Sequence, residues 1–148
     1  MIIRRAKSSD IDQIVKFQIS MAHETEQIEL DRQKVEKGVT AVVFDPSKGE
    51  YYVAEINGTV VGSLLTTFEW SDWRNGTILW IQSVFVLPEY RRKGVYRNLY
   101  SHIKEKVLED NSLNGIRLYV DKSNATAHKA YKKLGMSPDH YITFEWLK

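Results

Sequence analysis

The chain has 148 residues, 43% of them hydrophobic, and a mass of 17.2 kDa, which suits one compact domain over residues 1–148. Its 21 basic and 19 acidic residues are spread along the chain and leave a net charge of +2, so no bulk field favours nucleic acid or an anionic membrane. The absence of cysteine excludes disulfides, thiolate zinc sites and a cysteine nucleophile, and the four histidines lack the short spacing typical of metal sites. We therefore expect no metal, no nucleic-acid partner and no membrane association.

The N-terminal residues carry three basic side chains but no apolar run behind them. No stretch of the chain approaches the roughly 20 apolar residues of a membrane span. These features predict a soluble, cytoplasmic protein.

The first third of the chain predicts one strand and two helices. Ser9 and Asp12 are spaced as in a capping box, and apolar residues then recur at helical spacing up to Ala22. An acidic connector, residues 24–29, separates the two helices. The predicted elements are a strand at 2–6, a helix from 11 to about 23, and a helix from 31 to about 43 that is interrupted or bent at Gly38.

The middle of the chain predicts an antiparallel pair and a central strand. Asn57-Gly58, a strong hairpin signal, separates two β-rich runs at 51–56 and 59–67. After a polar, aromatic loop at 70–76, residues 77–86 are almost continuously apolar, as in a strand covered on both faces.

The last third predicts alternating helices and strands. Pro88 ends the central strand, and apolar residues at helical spacing mark a helix up to about Asp110. A strand at 115–120, a helix at 125–134 closed by Gly135, and a last strand at 141–146 should follow. This order predicts an α/β fold with a mixed sheet.

The turn between the central strand and the next helix has the chemistry of a phosphate site. The turn, residues 91–96, places three basic side chains and Gly94 where a helix begins. Unpaired backbone N–H groups and the positive end of the helix dipole bind phosphate at such a point, and glycine permits close approach. A solvated basic turn is the alternative for an isolated charge run.

These residues resemble the GNAT superfamily of acetyl-CoA-dependent N-acetyltransferases. The family motif Gln/Arg-x-x-Gly-x-Gly/Ala matches Arg91 to Val95, while Tyr96 stands where the family has glycine or alanine. Asn124, with Tyr131 seven residues later and Gly135 beyond it, is similar to the family's C-terminal signature. The resemblance covers nearly the whole chain.

The resemblance implies a GNAT fold: a mixed, mostly antiparallel sheet flanked by about four helices, with a strand-loop-helix site for acetyl-CoA. The main chain of Val84, Phe85 and Val86 would pair with the pantetheine arm like an added strand. The pyrophosphate would be held by Arg91, Arg92, Lys93, Gly94, Val95 and Tyr96. Asn124 would contact the cosubstrate further along.

Acetyl transfer from a thioester needs a proton for the departing thiolate, whose parent pKa is about 8.5. A phenol held beside the sulfur can supply it, and the family places its general acid at the position of Tyr131. A tyrosine packed in the core is the alternative for that residue.

The acceptor amine must lose a proton before it attacks, because its pKa is near 10.4. Gln82 stands where the diamine-acetylating branch of the family has a basic glutamate, and glutamine can orient the amine but cannot take its proton. Glu69, Asp72 and the connector acids Glu24 and Glu26 are candidates for the proton's destination. In polyamine-acetylating relatives this connector flanks the acceptor groove, so Glu24 and Glu26 are also candidates for substrate binding.

Three tryptophans could form an aromatic wall for a cation, although buried tryptophans are more often core residues: Trp70, Trp73 and Trp80. The region 68–86 as a whole is similar to the diamine acetyltransferases.

The sequence thus predicts an N-acetyltransferase that moves the acetyl group of acetyl-CoA to a small-molecule amine, such as a diamine, a polyamine or an amino-acid-like amine, by direct attack in a ternary complex. The alternative is a non-catalytic module that binds or senses acyl-CoA, which the missing acid at Gln82 and the altered residue Tyr96 motivate. A role in nucleic-acid binding would rest only on two short basic runs, Arg91-Arg92-Lys93 and Lys132-Lys133. The resemblance also implies a homodimer formed through edge strands.

Overall fold

The computed structural model describes all residues from 1 to 148, which form two compact units, 1–117 and 118–148. The first unit contains five strands and three helices. The strands are β1 (Ile2–Arg5), β2 (Glu50–Ile56), β3 (Thr59–Ser71), β4 (Gly76–Val86) and β5 (Leu113–Arg117), and the helices are α1 (Ile11–Glu26), α2 (Arg32–Phe44) and α3 (Val95–Glu109). The second unit contains one helix, α4 (Ala125–Lys133).

The five strands form one sheet in the order β1-β2-β3-β4-β5. Neighbours from β1 to β4 are antiparallel, and only β5 runs parallel to its neighbour β4. The turn between β2 and β3 has positive φ at both Asn57 (49°) and Gly58 (77°), as a type I′ hairpin requires. The predicted hairpin and the predicted α/β fold with a mixed, mostly antiparallel sheet and four helices are confirmed.

The helices of the first unit cover both faces of the sheet. Tyr51 and Val53 of β2 pack with Ile14 of α1 and Val39 of α2, whereas the ring of Tyr52 lies 5.4 Å from that of His102 on α3. Successive residues of a strand point to opposite faces. One face therefore carries α1 and α2, and the other carries α3.

The predicted interruption of the second helix at Gly38 is wrong, because α2 runs continuously through this residue. Asp31 caps its N-terminus by accepting hydrogen bonds from the backbone N–H groups of Gln33 (2.8 Å) and Lys34 (3.3 Å). A single exposed glycine weakens a helix by only about 1 kcal/mol, which packing of the apolar side of α2 offsets. No helix of the protein is both long enough and apolar enough to cross a membrane.

The predicted last strand at 141–146 is also wrong for this structure, in which residues 141–148 belong to neither a helix nor a strand. The alternation of apolar and polar side chains gives this segment β propensity. A strand exists only through backbone pairing with a neighbour, however, and the sheet ends at β5.

A buried ion pair fastens the start of the chain to the sheet. Asp10, which is 5% exposed, accepts hydrogen bonds from Arg4 Nη1 (2.7 Å), Arg4 Nη2 (3.0 Å) and the backbone N–H of Lys7 (2.7 Å). Arg4 also donates to Glu55 on β2 at 2.9 Å. Burial favours the neutral form of Asp10, but the hydrogen bonds from Arg4 and Lys7 outweigh it and lower the pKa of the carboxyl.

Replacement of Asp10 by asparagine should lower the free energy of unfolding by about 1 to 3 kcal/mol at pH 7, because Arg4 loses a bidentate partner. The folded-state pKa of Asp10 lies below its unfolded value of 3.8, so the stabilisation is present above about pH 4 and is lost as pH falls through the folded-state value. Urea denaturation from pH 7 to pH 3 should show the two proteins converging in stability. Asp12→Asn, which changes an exposed ion pair, is the control and should have a smaller effect. Equal losses in both variants would contradict this account.

Candidate active site

The central feature of the site is a β-bulge in β4. Leu65 is in register with Gln82 and Ser63 with Phe85, so two residues of β4 lie opposite the single residue Leu64. One of the two, Ser83, has a φ of +51°, a left-handed conformation that is uncommon outside glycine. Bulges bend a strand, and here the bend follows directly after Gln82.

The pairing between β4 and β5 ends shortly before the bulge. The last pair in that register is Trp80 with Arg117, so β4 is paired with β3 alone from Ile81 to Val86. A strand edge without a neighbour can pair with an extended ligand through main-chain hydrogen bonds. This stretch contains Val84, Phe85 and Val86, the residues expected to hold a pantetheine arm.

The loop that follows leads into the N-terminus of α3. Arg92 (φ +63°) and Gly94 (φ +80°) are both left-handed, and Gly94 is the N-cap residue of α3. A Cβ on Gly94 would meet only the side-chain nitrogen of Asn98, at 3.6 Å, so this glycine serves the backbone conformation rather than a crowded contact. Asn98 fixes the turn by donating to the Gly94 carbonyl from its backbone N–H (3.0 Å) and from Nδ2 (2.8 Å).

The three basic residues of the loop have different surroundings. Arg91 donates from Nη2 to Glu24 of α1 (2.6 Å) and from Nε to the Val86 carbonyl (2.9 Å), and its guanidinium lies 5.5 Å from the centroid of the Phe85 ring. Arg91 therefore ties the end of α1 to the end of β4.

The next two basic residues, Arg92 and Lys93, are exposed and enter no ion pair. The Lys93 ammonium lies 5.4 Å from the centroid of the Tyr90 ring. These two cations, together with the first N–H groups of α3, are suited to an anionic group such as a pyrophosphate.

A row of polar side chains lies on the α1 and α2 face of the sheet, beside the bulge. The register Tyr51 to Leu65 to Gln82 places Gln82 on that face. Gln82 Nε2 donates to Thr67 Oγ1 at 2.6 Å. Next to this pair, Trp80 Nε1 donates to Glu69 Oε2 at 2.5 Å. We call Gln82, Thr67, Glu69 and Trp80 the polar row.

Glu69 is the anion of the polar row. Its other oxygen accepts a hydrogen bond from Arg117 on β5, so one carboxylate links β3, β4 and β5. The hydrogen bond from Trp80 has the largest effect and lowers the pKa of Glu69; burial acts in the opposite direction, and the hydrogen bond and charge of Arg117 lower the pKa further. Glu69 is therefore ionised at neutral pH and is a fixed negative charge rather than a strong base.

The other candidate acids lie elsewhere. The Glu24 carboxylate is engaged with Arg91, whereas Glu26 is an exposed residue at the end of α1. Asp72 lies in the turn between β3 and β4 and accepts a hydrogen bond from the backbone N–H of Trp73 at 2.9 Å.

The aromatic wall suggested for the three tryptophans is wrong. Trp80 is in register with Thr67, and Trp70, three residues on from Thr67, points to the opposite face of the sheet. Trp73 is an exposed side chain of the turn. Only Trp80 belongs to the polar row.

The second unit carries two of the predicted site residues, Asn124 and Tyr131. Asn124 is the N-cap of α4, where its Oδ1 accepts a hydrogen bond from the backbone N–H of Ala127 at 3.0 Å. The Nδ2 group of Asn124 takes no part in this capping hydrogen bond. The backbone N–H groups of Gly135 and Met136 close the helix by donating to Lys132 (3.0 Å) and Tyr131 (3.1 Å). Burial raises the pKa of the Tyr131 phenol above its ordinary value, which keeps the phenol protonated at neutral pH.

Sequence reasoning missed Thr67, Arg117 and the bulge at Ser83. Thr67 and Arg117 act through cross-strand contacts, which become visible only once the register of β3, β4 and β5 is known. No residue type marks the bulge, since serine has no preference for positive φ.

The residues of the first unit fit acetyl-CoA. An unpaired strand edge of β4, two cations without ion-pair partners and a left-handed glycine at a helix N-terminus follow one another within residues 81–97. An extended amide arm and a pyrophosphate need those three elements in that order.

Comparison with known proteins gives consistent matches. The model of the acetyltransferase (GNAT) family matches residues 11–136. The crystal structure of a possible acetyltransferase from Clostridium difficile 630 is 44% identical and superposes with a TM-score of 0.93, covering 99% of this chain and 97% of that one. A thialysine N-epsilon-acetyltransferase of Bos taurus is 30% identical over 145 residues, which cover 91% of this chain and 83% of the relative. An N-alpha-acetyltransferase of Sulfurisphaera tokodaii is 29% identical over 143 residues, and the match covers 90% of this chain and 78% of the relative.

The family match spans most of the chain, and the strand-loop-helix geometry agrees with it. The protein is therefore an acyltransferase of the acetyltransferase (GNAT) family, whose cosubstrate is acetyl-CoA.

Proposed function

We propose that this enzyme acetylates a primary amine of a small cationic molecule, of the diamine, polyamine or amino-acid class, by direct attack on acetyl-CoA in a ternary complex. The observation that carries the proposal is the position of the polar row, which contains an ionised carboxylate and lies directly beside the open edge of β4. An amine on that face would be next to an acyl group held along the edge. The similarity to the thialysine enzyme supports a small amine as acceptor.

The bound thioester supplies an activated acetyl group. The chain's part begins with Val84, Phe85 and Val86, whose main chain aligns the pantetheine arm, and with Arg92, Lys93 and the amides from Gly94 to Tyr96, which hold the pyrophosphate. Arg91 fixes the loop through Glu24 and the Val86 carbonyl. Asn124 offers its Nδ2 further along the cosubstrate.

Gln82 and Glu69 act on the amine. Glu69 attracts the ammonium form, and the Gln82 carbonyl oxygen, whose amide is oriented by Thr67, accepts a hydrogen bond from the neutral amine. The new C–N bond forms as the C–S bond breaks. The surplus proton on nitrogen leaves through water molecules and is taken up by the solvent buffer, since Gln82 itself cannot accept it.

Tyr131 donates its proton to the departing sulfur. Its raised pKa keeps the phenol in the acid form that this step needs. A module that only senses acyl-CoA is not favoured, since the family and the named relatives are acetyltransferases. Binding of acetyl-CoA without acetylation of any amine in a broad panel would reverse that preference.

Replacement of Tyr131 by phenylalanine should lower kcat by about 100-fold or more while the KM for acetyl-CoA stays within a factor of three, because the acid acts on the leaving group. With the raised pKa of Tyr131, wild-type kcat should not decline with rising pH below about pH 10. Steady-state kinetics over pH 6–10 measures both. Tyr119→Phe, an exposed tyrosine of the same unit, is the control and should keep wild-type kcat. An unchanged kcat in Tyr131→Phe would remove this residue from the acid role.

Single alanine substitutions of Arg92 and Lys93 should each raise the Kd of acetyl-CoA by about 5- to 30-fold, since each removes a charge-assisted contact to phosphate. Their affinity should also depend less on salt than that of the wild type. Calorimetric titration at two salt concentrations measures this. Lys104→Ala, an exposed lysine further along α3, is the matched control. Loss of affinity in all three variants would indicate a general charge effect rather than a pyrophosphate site.

Replacement of Glu69 by glutamine should raise the KM of cationic amines by about 3- to 10-fold and leave the KM of acetyl-CoA unchanged. The assay should compare diamines, polyamines, lysine analogues and peptides with free N-termini. Asp72→Asn, in the turn between β3 and β4, is the control. A peptide N-terminus as the only acceptor would contradict the proposed small-molecule class.

A further inference from the structure

The face of the sheet that carries the polar row continues to the turn between β3 and β4. Thr67, Glu69 and Ser71 are alternate residues of β3 in unbroken register with β4, so their side chains point to the same face. Ser71 is buried, and Nη1 of Arg74 in the turn lies 3.5 Å from its Oγ. With distance from the bulge, this face therefore presents first an amide and a hydroxyl, then a carboxylate, and finally a guanidinium.

Two guanidinium groups accompany the single carboxylate of the polar row. Arg117 donates a hydrogen bond to Glu69, and 29% of its side chain is exposed. Arg74 is exposed and enters no ion pair. After the hydrogen bonds from Trp80 and Arg117, the charge of Arg74 also lowers the pKa of Glu69, so the two groups lie within electrostatic reach of each other. One carboxylate thus faces two cations.

The acid nearest to Arg74 in sequence, Asp72, does not pair with it. The Asp72 carboxylate accepts a hydrogen bond from the backbone N–H of Trp73 at 2.9 Å. A further polar neighbour of this corner is neutral, because a Cβ on Gly76 would stand 1.7 Å from Oδ1 of Asn114. Arg74 therefore presents its donors to solvent without an acidic partner.

We propose that Arg74 and Arg117 form a carboxylate subsite for the acceptor, and that the acceptor is a diamino acid acetylated on its side-chain amine. The inference rests on the proposed function and narrows its substrate class. A guanidinium recognises a carboxylate through paired N–H donors in a fixed plane. A diamine or polyamine carries only positive charge, so it would meet like charge at this end of the face.

The spacing along β3 fits a diamino acid of the length of lysine. Thr67, which holds the Gln82 amide, and Glu69 are about 7 Å apart along the strand. An extended chain of four methylene groups separates its two end groups by about 6 Å. With the reacting amine at Gln82, the α-ammonium faces Glu69 and the carboxylate faces Arg74 and Arg117. Each permanent charge of the acceptor then meets an opposite charge.

Three matched substrates test the subsite: lysine, lysinamide and cadaverine. All three carry the same side-chain amine, but lysinamide lacks the carboxylate charge and cadaverine lacks the whole carboxyl group. The wild-type kcat/KM for lysine should exceed that for each of the others by about 10-fold or more, because they lose charge-assisted hydrogen bonds to guanidinium. Fragmentation of the product in a mass spectrometer should place the acetyl group on the side-chain nitrogen.

The outcomes separate this inference from the function on which it rests. A preference for cadaverine or lysinamide over lysine, or acetylation of the α-nitrogen, would overturn the carboxylate subsite and leave a small-molecule amine acetyltransferase. Acetylation of none of the small amines would contradict the proposed function as well.

Variants of Arg74 distinguish the subsite from a general effect of charge. Arg74→Gln should raise the KM for lysine about 5-fold or more without raising the KM for cadaverine, and Arg74→Lys should recover part of the loss. Lys104→Gln, which removes an exposed positive charge from α3, is the control and should leave both KM values unchanged. Arg117 is less suited to this test, since it also holds Glu69. An equal rise for lysine and cadaverine in Arg74→Gln, or no rise for either, would overturn the proposal.

Discussion

The architecture of the site depends on the bulge at Ser83, which lies opposite Leu64 and changes the register between β3 and β4. Pairing with β5 ends at Trp80, just before the bulge, so the C-terminal half of β4 has an open edge without leaving the sheet. A serine held at positive φ carries strain, which the antiparallel ladder to β3 on both sides of it sustains. The open edge of β4, the side chain of Gln82 and the loop into α3 all lie close to this bulge, within residues 81–94.

Charge in the site is divided between residues that fix structure and residues that remain available. Arg91 is fixed by Glu24 and the Val86 carbonyl, so it stabilises the loop, whereas Arg92 and Lys93 keep their charge for an anion. In the polar row, the hydrogen bonds from Trp80 and Arg117 lower the pKa of Glu69 and so favour its ionised form. Under the proposed function, the cations of the loop before α3 would face the pyrophosphate and the carboxylate of the polar row would face the amine.

Much of the fold could be predicted from local signals. Asn57-Gly58 predicted the β2–β3 hairpin, and the apolar run at 77–86 predicted the central strand. The last strand of the sheet was harder to predict. The residue pattern at 141–146 indicates β propensity, but it does not show whether a neighbouring strand is present to pair with. The interruption predicted at Gly38 failed for a similar reason. The free-energy cost of one glycine in a helix is smaller than the stabilisation that packing and capping give to α2. At the site, the loop motif could be recognised in the sequence. The contacts of Thr67 and Arg117 could not be predicted, because they depend on the register between neighbouring strands.

The central claim is that the open edge of β4 receives the pantetheine arm as an added strand. Hydrogen exchange followed by mass spectrometry, with and without CoA, tests it most directly. Slower exchange is expected within residues 84–86 and 92–97 when CoA binds, because the amides that face the open edge and the first amides of α3 gain hydrogen-bond partners. Tight binding of CoA with unchanged exchange at 84–86 would contradict it.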